Sequence, residues 1–290
     1  VEDLWATQAV GFIGGTPKAG KTWLALELAV AVASGRPCLG LYPVHEPGHV
    51  LLYAAEDTAQ AIKERTLGIA QIRGVCDTER LAIGLITTPQ LWLDLDEHQQ
   101  RLATTVARVK PRLLVLDPLV RIHRADENSA AEISRLLAFL RHLQREHAVA
   151  IVVVHHVRKS ASAQPGQALR GSGDLHAWSD SSLYLLRRKG RTELHVEHRS
   201  QPGPAPAVIE LHTEDPPHLR IITAEPDKSN HGDGLAERVL TALAEQPMTR
   251  TRLREHLRVR NETLGSALTD LEAQRRIRRS NGLIVPVPIP

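Results

Sequence analysis

The chain has 290 residues, with 42% apolar and 24% charged side chains, enough for about two domains at roughly 150 residues each. That balance supports a buried core and excludes a disordered tail. Two cysteines, Cys38 and Cys76, are too few for a disulfide framework or a zinc module. The longest apolar run, residues 23–33, carries Glu27 and is too short to span a bilayer. Secreted, collagen-like and membrane classes are excluded, and a cytoplasmic protein without a membrane partner is expected. The chain begins at Val1 rather than Met, so removal of an upstream segment is expected.

Net charge is +3, and all of the excess lies in residues 232–290, where ten Arg face seven Asp or Glu. A weakly basic tail suits an anionic partner. Arg outnumbers Lys by 29 to 7, a bias that a GC-rich genome explains without reference to function.

In chain order, residues 10–13, 50–53, 113–116 and 149–154 are continuous apolar runs and read as buried strands, with a further strand at 81–86. Between them, 21–34, 58–73, 96–109 and 130–147 carry helix-period apolar positions. Strand alternating with helix predicts an α/β fold with a mainly parallel, doubly wound sheet. Residues 157–174 have Gly, Ser, Gln and Pro without a period and read as a long functional loop. Strands at 182–186, 193–198, 208–212 and 219–223 follow. The turn Lys189-Gly190-Arg191 makes this half antiparallel. The breaker-rich stretch 224–234 marks a boundary, giving a first domain over 1–225, a linker over 226–234 and a second unit over 235–290. In that unit 235–245, 249–257 and 262–274 read as three short helices. Residues 276–285 read as a hairpin around Asn281-Gly282. Three helices and a hairpin form the winged-helix pattern.

Gly15-Thr16-Pro17-Lys18-Ala19-Gly20-Lys21-Thr22 matches G-x-x-x-x-G-K-[ST] in full, between a strand and a helix. The glycines let backbone N–H groups turn toward phosphate oxygens, and the following helix adds its positive end. Lys21 can reach the β- and γ-phosphates, and the Thr22 hydroxyl can ligate Mg²⁺. Residues 113–116 end at Asp117, the Walker B pattern, whose carboxylate holds the metal. Glu56 and Asp57 follow the second strand, at the strand end where ligands sit in open α/β sheets. Glu56 is placed to orient an attacking water while Asp57 caps the next helix. His155 and His156 end the strand after Walker B. One of them is expected at the γ-phosphate as a sensor, the pattern not deciding between the two.

Together these motifs resemble the RecA-like P-loop ATPases, and within them the RepA group of hexameric replicative helicases and related AAA-family ATPases. The segments that carry the resemblance are Gly14 through Thr22, Ala54-Ala55-Glu56-Asp57, Leu116-Asp117-Pro118, Val154-His155-His156 and Leu169-Arg170-Gly171-Ser172. The resemblance implies a homo-oligomeric ring, normally of six subunits, with ATP and Mg²⁺ between neighbours and a Glu56-like catalytic base. It also implies an arginine finger from the next subunit. Arg199 stands at the matching place, with Arg170 as its rival, although relatives carry Lys two residues earlier where this chain has Glu197. Arg158, Lys159 and Arg170 fall in the loop that lines the central channel of such rings, where they could follow a single-stranded DNA backbone. Only nine aromatics occur in the chain, so such binding rests more on phosphates than on stacking.

In the second unit, Arg258, Arg260, Arg275 and Arg276 flank the helix at 262–274 and could contact duplex phosphates. Glu262, Asp270 and Glu272 lie on that helix, which equally suits a protein-docking surface. The leading expectation is an ATP-driven DNA motor or helicase of the RepA kind, acting in replication of a plasmid, phage or mobile element. The alternative is an ATP-switched DNA-binding regulatory or loading factor without unwinding. A small-molecule kinase fits the second unit poorly.

Overall fold

A computed structural model describes residues 1–124, 130–156, 173–188, 190–222, 233–257, 259, 264–265, 268–269, 271–272, 276–280 and 283–286. The chain divides into two units, Val1–Thr223 and Ala224–Pro290.

The first unit is built on β1 (Val10–Gly15), β2 (Val50–Ala54), β3 (Ile83–Leu85), β4 (Leu113–Asp117), β5 (Ala150–His156), β6 (Ser181–Arg188), β7 (Arg191–His198), β8 (Ala207–His212) and β9 (His218–Ile222). They form one sheet in the order β3-β2-β4-β5-β1-β6-β7-β8-β9. The pairs from β3 through β6 are parallel and those from β6 through β9 antiparallel. Continuous apolar sequence in β1, β2, β4 and β5 follows from burial of both faces of a parallel sheet. One face packs on α1 (Lys21–Ser34) and α2 (Ala59–Ile72), with Leu24, Leu28, Ile62 and Ile69 in its core. The other packs on α3 (Asp96–Val109) and α4 (Ala130–His147), through Leu102, Val106, Leu136 and Leu140.

Helix α1 is rich in Ala and Leu, strong helix formers, and ends where Gly35 adopts φ 74° and its N–H donates to Ala31 O at 2.8 Å. Asp57 does not cap the next helix. Thr58 does, accepting from Ala61 N–H at 3.2 Å, while Asp57 pairs with Arg65 at 3.0 Å. Both residue types cap helices well, so only the three-dimensional partner separates them.

The stretch expected as an open loop to residue 174 ends instead in a short helix, α5 (Gly173–Trp178). Leu175 is buried, and Trp178 Nε1 donates to Leu137 O at 2.9 Å, so packing on α4 holds this helix. Six residues are too few to show a period in sequence or to be helical unaided. The rest of that loop, with Arg158, Lys159 and Arg170, lies outside the described residues.

The β8–β9 hairpin curls back over α1 and α2. Leu219 is buried, and Arg73 donates twice to Glu27, at 2.7 and 2.9 Å, and once to Leu219 O at 2.6 Å. One guanidinium thereby ties α1, α2 and β9. Burial pushes the Glu27 carboxyl up, against the pull of Arg73.

The second unit contains α6 (Asp233–Glu245), α7 (Arg250–Leu257) and the hairpin of β10 (Ile277–Ser280) with β11 (Leu283–Pro286). Its own core joins Val239, Leu243, Met248, Leu253, Leu268 and Ile284. Within the helix expected at 262–274, the described residues 264–265, 268–269 and 271–272 are helical, and Leu264, Leu268 and Leu271 are buried. Arg258, Arg260 and Arg275 lie outside the described residues, as do Asn281 and Gly282. Arg276 is half-buried and donates its N–H to Leu271 O at 2.9 Å. Among the described residues, no helix is long and apolar enough to cross a membrane.

Removing one partner of a buried ion pair strands the other charge in a poorly solvating interior. Arg73→Ala is expected to lower the unfolding free energy by about 3–5 kcal/mol in urea titrations. Replacing both partners with apolar residues of similar volume, Glu27→Leu with Arg73→Met, is expected to recover most of that loss.

Candidate nucleotide site

The loop between β1 and α1 lies at the carboxyl end of the parallel strands. Packing at one position and backbone conformation at another favour its glycines. A Cβ on Gly15 would stand 3.1 Å from both Cβ and O of Leu185, on the neighbouring strand β6. Gly20, just before α1, takes φ 92°, a left-handed conformation open mainly to glycine. Gly14 and Gly15 are buried in β1, whereas Pro17 and Lys18 form the exposed crest, and Thr16, Ala19 and Gly20 are half-buried.

Lys21 begins α1 and is only 7% exposed. Its Nζ donates to Gly15 O at 3.0 Å and Thr16 O at 2.9 Å, and stands 3.3 Å from His156 Nδ1. Burial lowers the pKa of this ammonium, with the Asp117 and Glu56 carboxylates pulling the other way. Next to it, Thr22 Oγ1 donates to Asp117 Oδ2 at 2.7 Å, so P-loop and Walker B residues meet although 95 positions separate them. Burial pushes the Asp117 carboxyl up to about 6, opposed by the Thr22 hydrogen bond, with Asp57 and Glu56 adding to the rise.

Glu56 stands past the end of β2 and accepts from Arg121 Nε at 2.9 Å. Arg121 closes the 3₁₀ turn Leu119–Arg121 after β4. This partner is not legible in the sequence, because no spacing rule links an arginine after one strand to a glutamate after another.

His155 and His156 part company. Side chains alternate across a strand, so His156 turns to Lys21 while His155 is 1% exposed beside Phe12, its ring 6.0 Å away. The pattern leaves the two histidines open: His155, named as a nucleotide contact, is buried in the core, and His156 is the one that stands at the loop.

Arg199 is at the opposite end of the sheet. Gly15 is in register with Leu185, whereas the Ser181 end of the same strand pairs with His198, beside Arg199. Arg199 contacts Asp180 at 3.1 Å and donates to Ala177 O. It cannot reach its own chain's P-loop from there.

The residues present fit a nucleoside triphosphate with a divalent cation: a glycine-bearing turn at a helix N-terminus, a buried ammonium held by backbone carbonyls, and a hydroxyl paired with a carboxylate. A family model described as an AAA domain matches residues 1–162. The chain belongs to the AAA domain family. DNA repair protein RadA of Streptococcus pyogenes serotype M6 is 25% identical over 184 residues, covering 62% of this chain and 33% of that protein. RadA of Streptococcus pneumoniae is 26% identical over 184 residues, covering 62% of this chain and 36% of its own length. This chain therefore spans about a third of the curated relatives it matches. The crystal structure of the RadB recombinase superposes with a TM-score of 0.50 at 21% identity, over 74% of this chain and 91% of that one. This AAA domain has a RecA-like α/β fold.

In this AAA domain the buried Walker carboxylate opposes stability. The folded chain keeps the Asp117 proton up to about pH 6, whereas an unfolded Asp releases it near about pH 4. Stability therefore falls as pH rises through that window and stays lowered above it. Asp117→Asn is expected to raise the unfolding free energy of the nucleotide-free protein at pH 7.5 by about 1–3 kcal/mol. The gain should shrink toward pH 4, as measured by urea titration across pH.

Proposed function

We propose that this chain is a Mg²⁺-dependent ATPase that works on DNA as a RecA-type motor, assembled as a ring of like subunits. The observation that supports it most is the meeting of Lys21, Thr22 and Asp117 at one sheet end, with Glu56 close enough for its charge to be felt at both Lys21 and Asp117. In this reading backbone N–H groups of residues 15–22 surround the phosphates. Lys21 exchanges the carbonyls of Gly15 and Thr16 for phosphate oxygens. Thr22 and Asp117 hold Mg²⁺, which when bound offsets charge on the phosphoryl group. Glu56 accepts a proton from the water whose oxygen bonds to the γ-phosphorus as the bond from that phosphorus to the ADP oxygen breaks. His156 reads the γ-phosphate next to Lys21, and ADP and phosphate leave.

Arg199, which lies away from its own loop, is assigned to a neighbouring subunit's site as the finger. DNA as the partner draws support from relatives named for DNA repair and recombination. The arginines at 158, 170, 258, 260, 275 and 276, with Lys159, are assigned to phosphate contacts in the channel and at a winged-helix unit. A hexameric RepA-like helicase is the specific form of motor proposed.

The test is ATP hydrolysis by wild type and Lys21→Ala without DNA, with single-stranded DNA and with duplex. Single strands are expected to raise wild-type turnover several-fold, and the variant to lose about 10²-fold or more. Turnover that duplex alone stimulates, or that no DNA changes, would overturn the motor in favour of an ATP-switched DNA-binding factor. Equal turnover by both proteins would overturn the nucleotide site. Forked-duplex unwinding and native mass measurement with ATP test the helicase and the six-fold ring.

A further inference from the structure

The Glu56 carboxylate is tethered. Arg121 Nε donates to Glu56 Oε1 at 2.9 Å, linking the loops that follow β2 and β4. Both supports of this tether are fixed. On one side, the Arg121 N–H donates to Pro118 O and the Ile122 N–H to Leu119 O, each at 3.0 Å, while Leu93 N–H donates to Ile122 O at 2.7 Å. Leu119 and Ile122 are buried, so the turn that presents Arg121 is anchored in the core. On the other side, Ala55 N–H donates to Asp117 O at 2.8 Å, and Thr58 caps α2. Glu56 is thus held between two fixed backbones, its head set by one side chain.

Two further features give the contact its meaning. The adjacent carboxylate, Asp57, is occupied by Arg65, whose guanidinium also lies 5.3 Å from the Trp23 ring centroid. Each arginine therefore has its own acid, and Arg121 falls to Glu56. The Arg121 and Glu56 side chains are 61% and 51% exposed, so the pair contributes little to stability. What it supplies is direction. A single Nε–H bond holds Oε1 toward Arg121 and leaves Oε2 for a second partner.

We propose that Arg121 is a positioning residue for hydrolysis: it sets the Glu56 head so that Oε2 faces the attacking water. The inference rests on Glu56 being the base proposed above. It adds that the turn after Walker B, and not β2 alone, determines where that base points.

The full chain is compared as wild type, Arg121→Ala, Arg121→Lys and Glu56→Gln, by steady-state ATP hydrolysis, ATP-analogue binding and thermal melting. Glu56→Gln is expected to lower kcat by about 10²-fold or more. Arg121→Ala is expected to lower kcat about 10-fold, with KM for ATP, analogue affinity and Tm near wild type. Arg121→Lys should recover part of that loss, since it restores the charge without the planar N–H geometry. Unchanged kcat in Arg121→Ala, beside an inactive Glu56→Gln, would overturn the positioning role. A raised kcat would also overturn it, making the contact a latch. Loss of affinity or Tm in step with kcat would place Arg121 in nucleotide binding or folding and overturn it too. Wild-type turnover by Glu56→Gln would instead remove the base, and the role of Arg121 with it.

Discussion

Two opposite charges taken out of water at one end of a sheet are the constraint on which this molecule depends. Lys21 and Asp117 are each 7% exposed, and either one alone would be costly to bury. The ammonium is accommodated by two carbonyls and an imidazole, and the carboxylate by the Thr22 hydroxyl. The two carbonyls come from the loop itself, but the imidazole and the Thr22–Asp117 contact are available only if the strands end level. Gly15 must stand beside His156, and Ala54 beside Asp117, as the parallel register has them. A slip of one residue in β5 would carry His156 to the other face and bring His155 to the loop. The apolar runs of the central strands therefore do more than fill the core, since their register aligns the polar groups at the strand ends.

The same constraint explains why the loop is chemically poised. Backbone carbonyls hold the Lys21 ammonium but carry no net charge, so they compensate it less well than an anion would. Asp117, pushed up to about 6, is likewise under-compensated. A polyanion with a divalent cation relieves both at once, each charge meeting its opposite. Stability given up in the fold thereby becomes affinity for the ligand, a trade common at functional sites.

What could be read from sequence divides along the range of the interactions. Helices α1, α3 and α4 follow from local period and composition, and the P-loop from eight consecutive residues. The Walker strand was legible because an apolar run ending in Asp is itself a local pattern. Contacts set by the three-dimensional fold were not. Arg121 meets Glu56, Arg73 meets Glu27 and Leu219 O, and Arg141 and Arg199 both meet Asp180. A chain with 29 arginines offers each acid many candidates, and only the fold chooses among them. Asp57 and Thr58 are both good caps by type, and the two histidines differ only in which face of β5 they take. The short helix α5 is held by packing on α4 rather than by its own sequence. Family assignment has the same limit. The core motifs belong to RecA-like ATPases broadly, so they lead to an AAA domain more firmly than to RepA-type helicases.

The layout of the sheet bears on assembly. β1 through β6 run parallel, with their carboxyl ends on the P-loop side, but β7 returns antiparallel and delivers Arg199 to the opposite end of the strands. From Leu185 to Ser181 the chain advances roughly 13 Å along the sheet, and a side chain anchored at Asp180 cannot recover that distance. An arginine so placed can serve phosphoryl transfer only on another copy's nucleotide. It also shares Asp180 with Arg141 and with the Val10 N–H, at 3.2 Å. Asp180 would therefore keep partners if Arg199 left for a neighbour, and departure would not strand a buried charge. Under the proposed finger role, hydrolysis would rise with subunit concentration, and its onset would mark assembly rather than nucleotide binding.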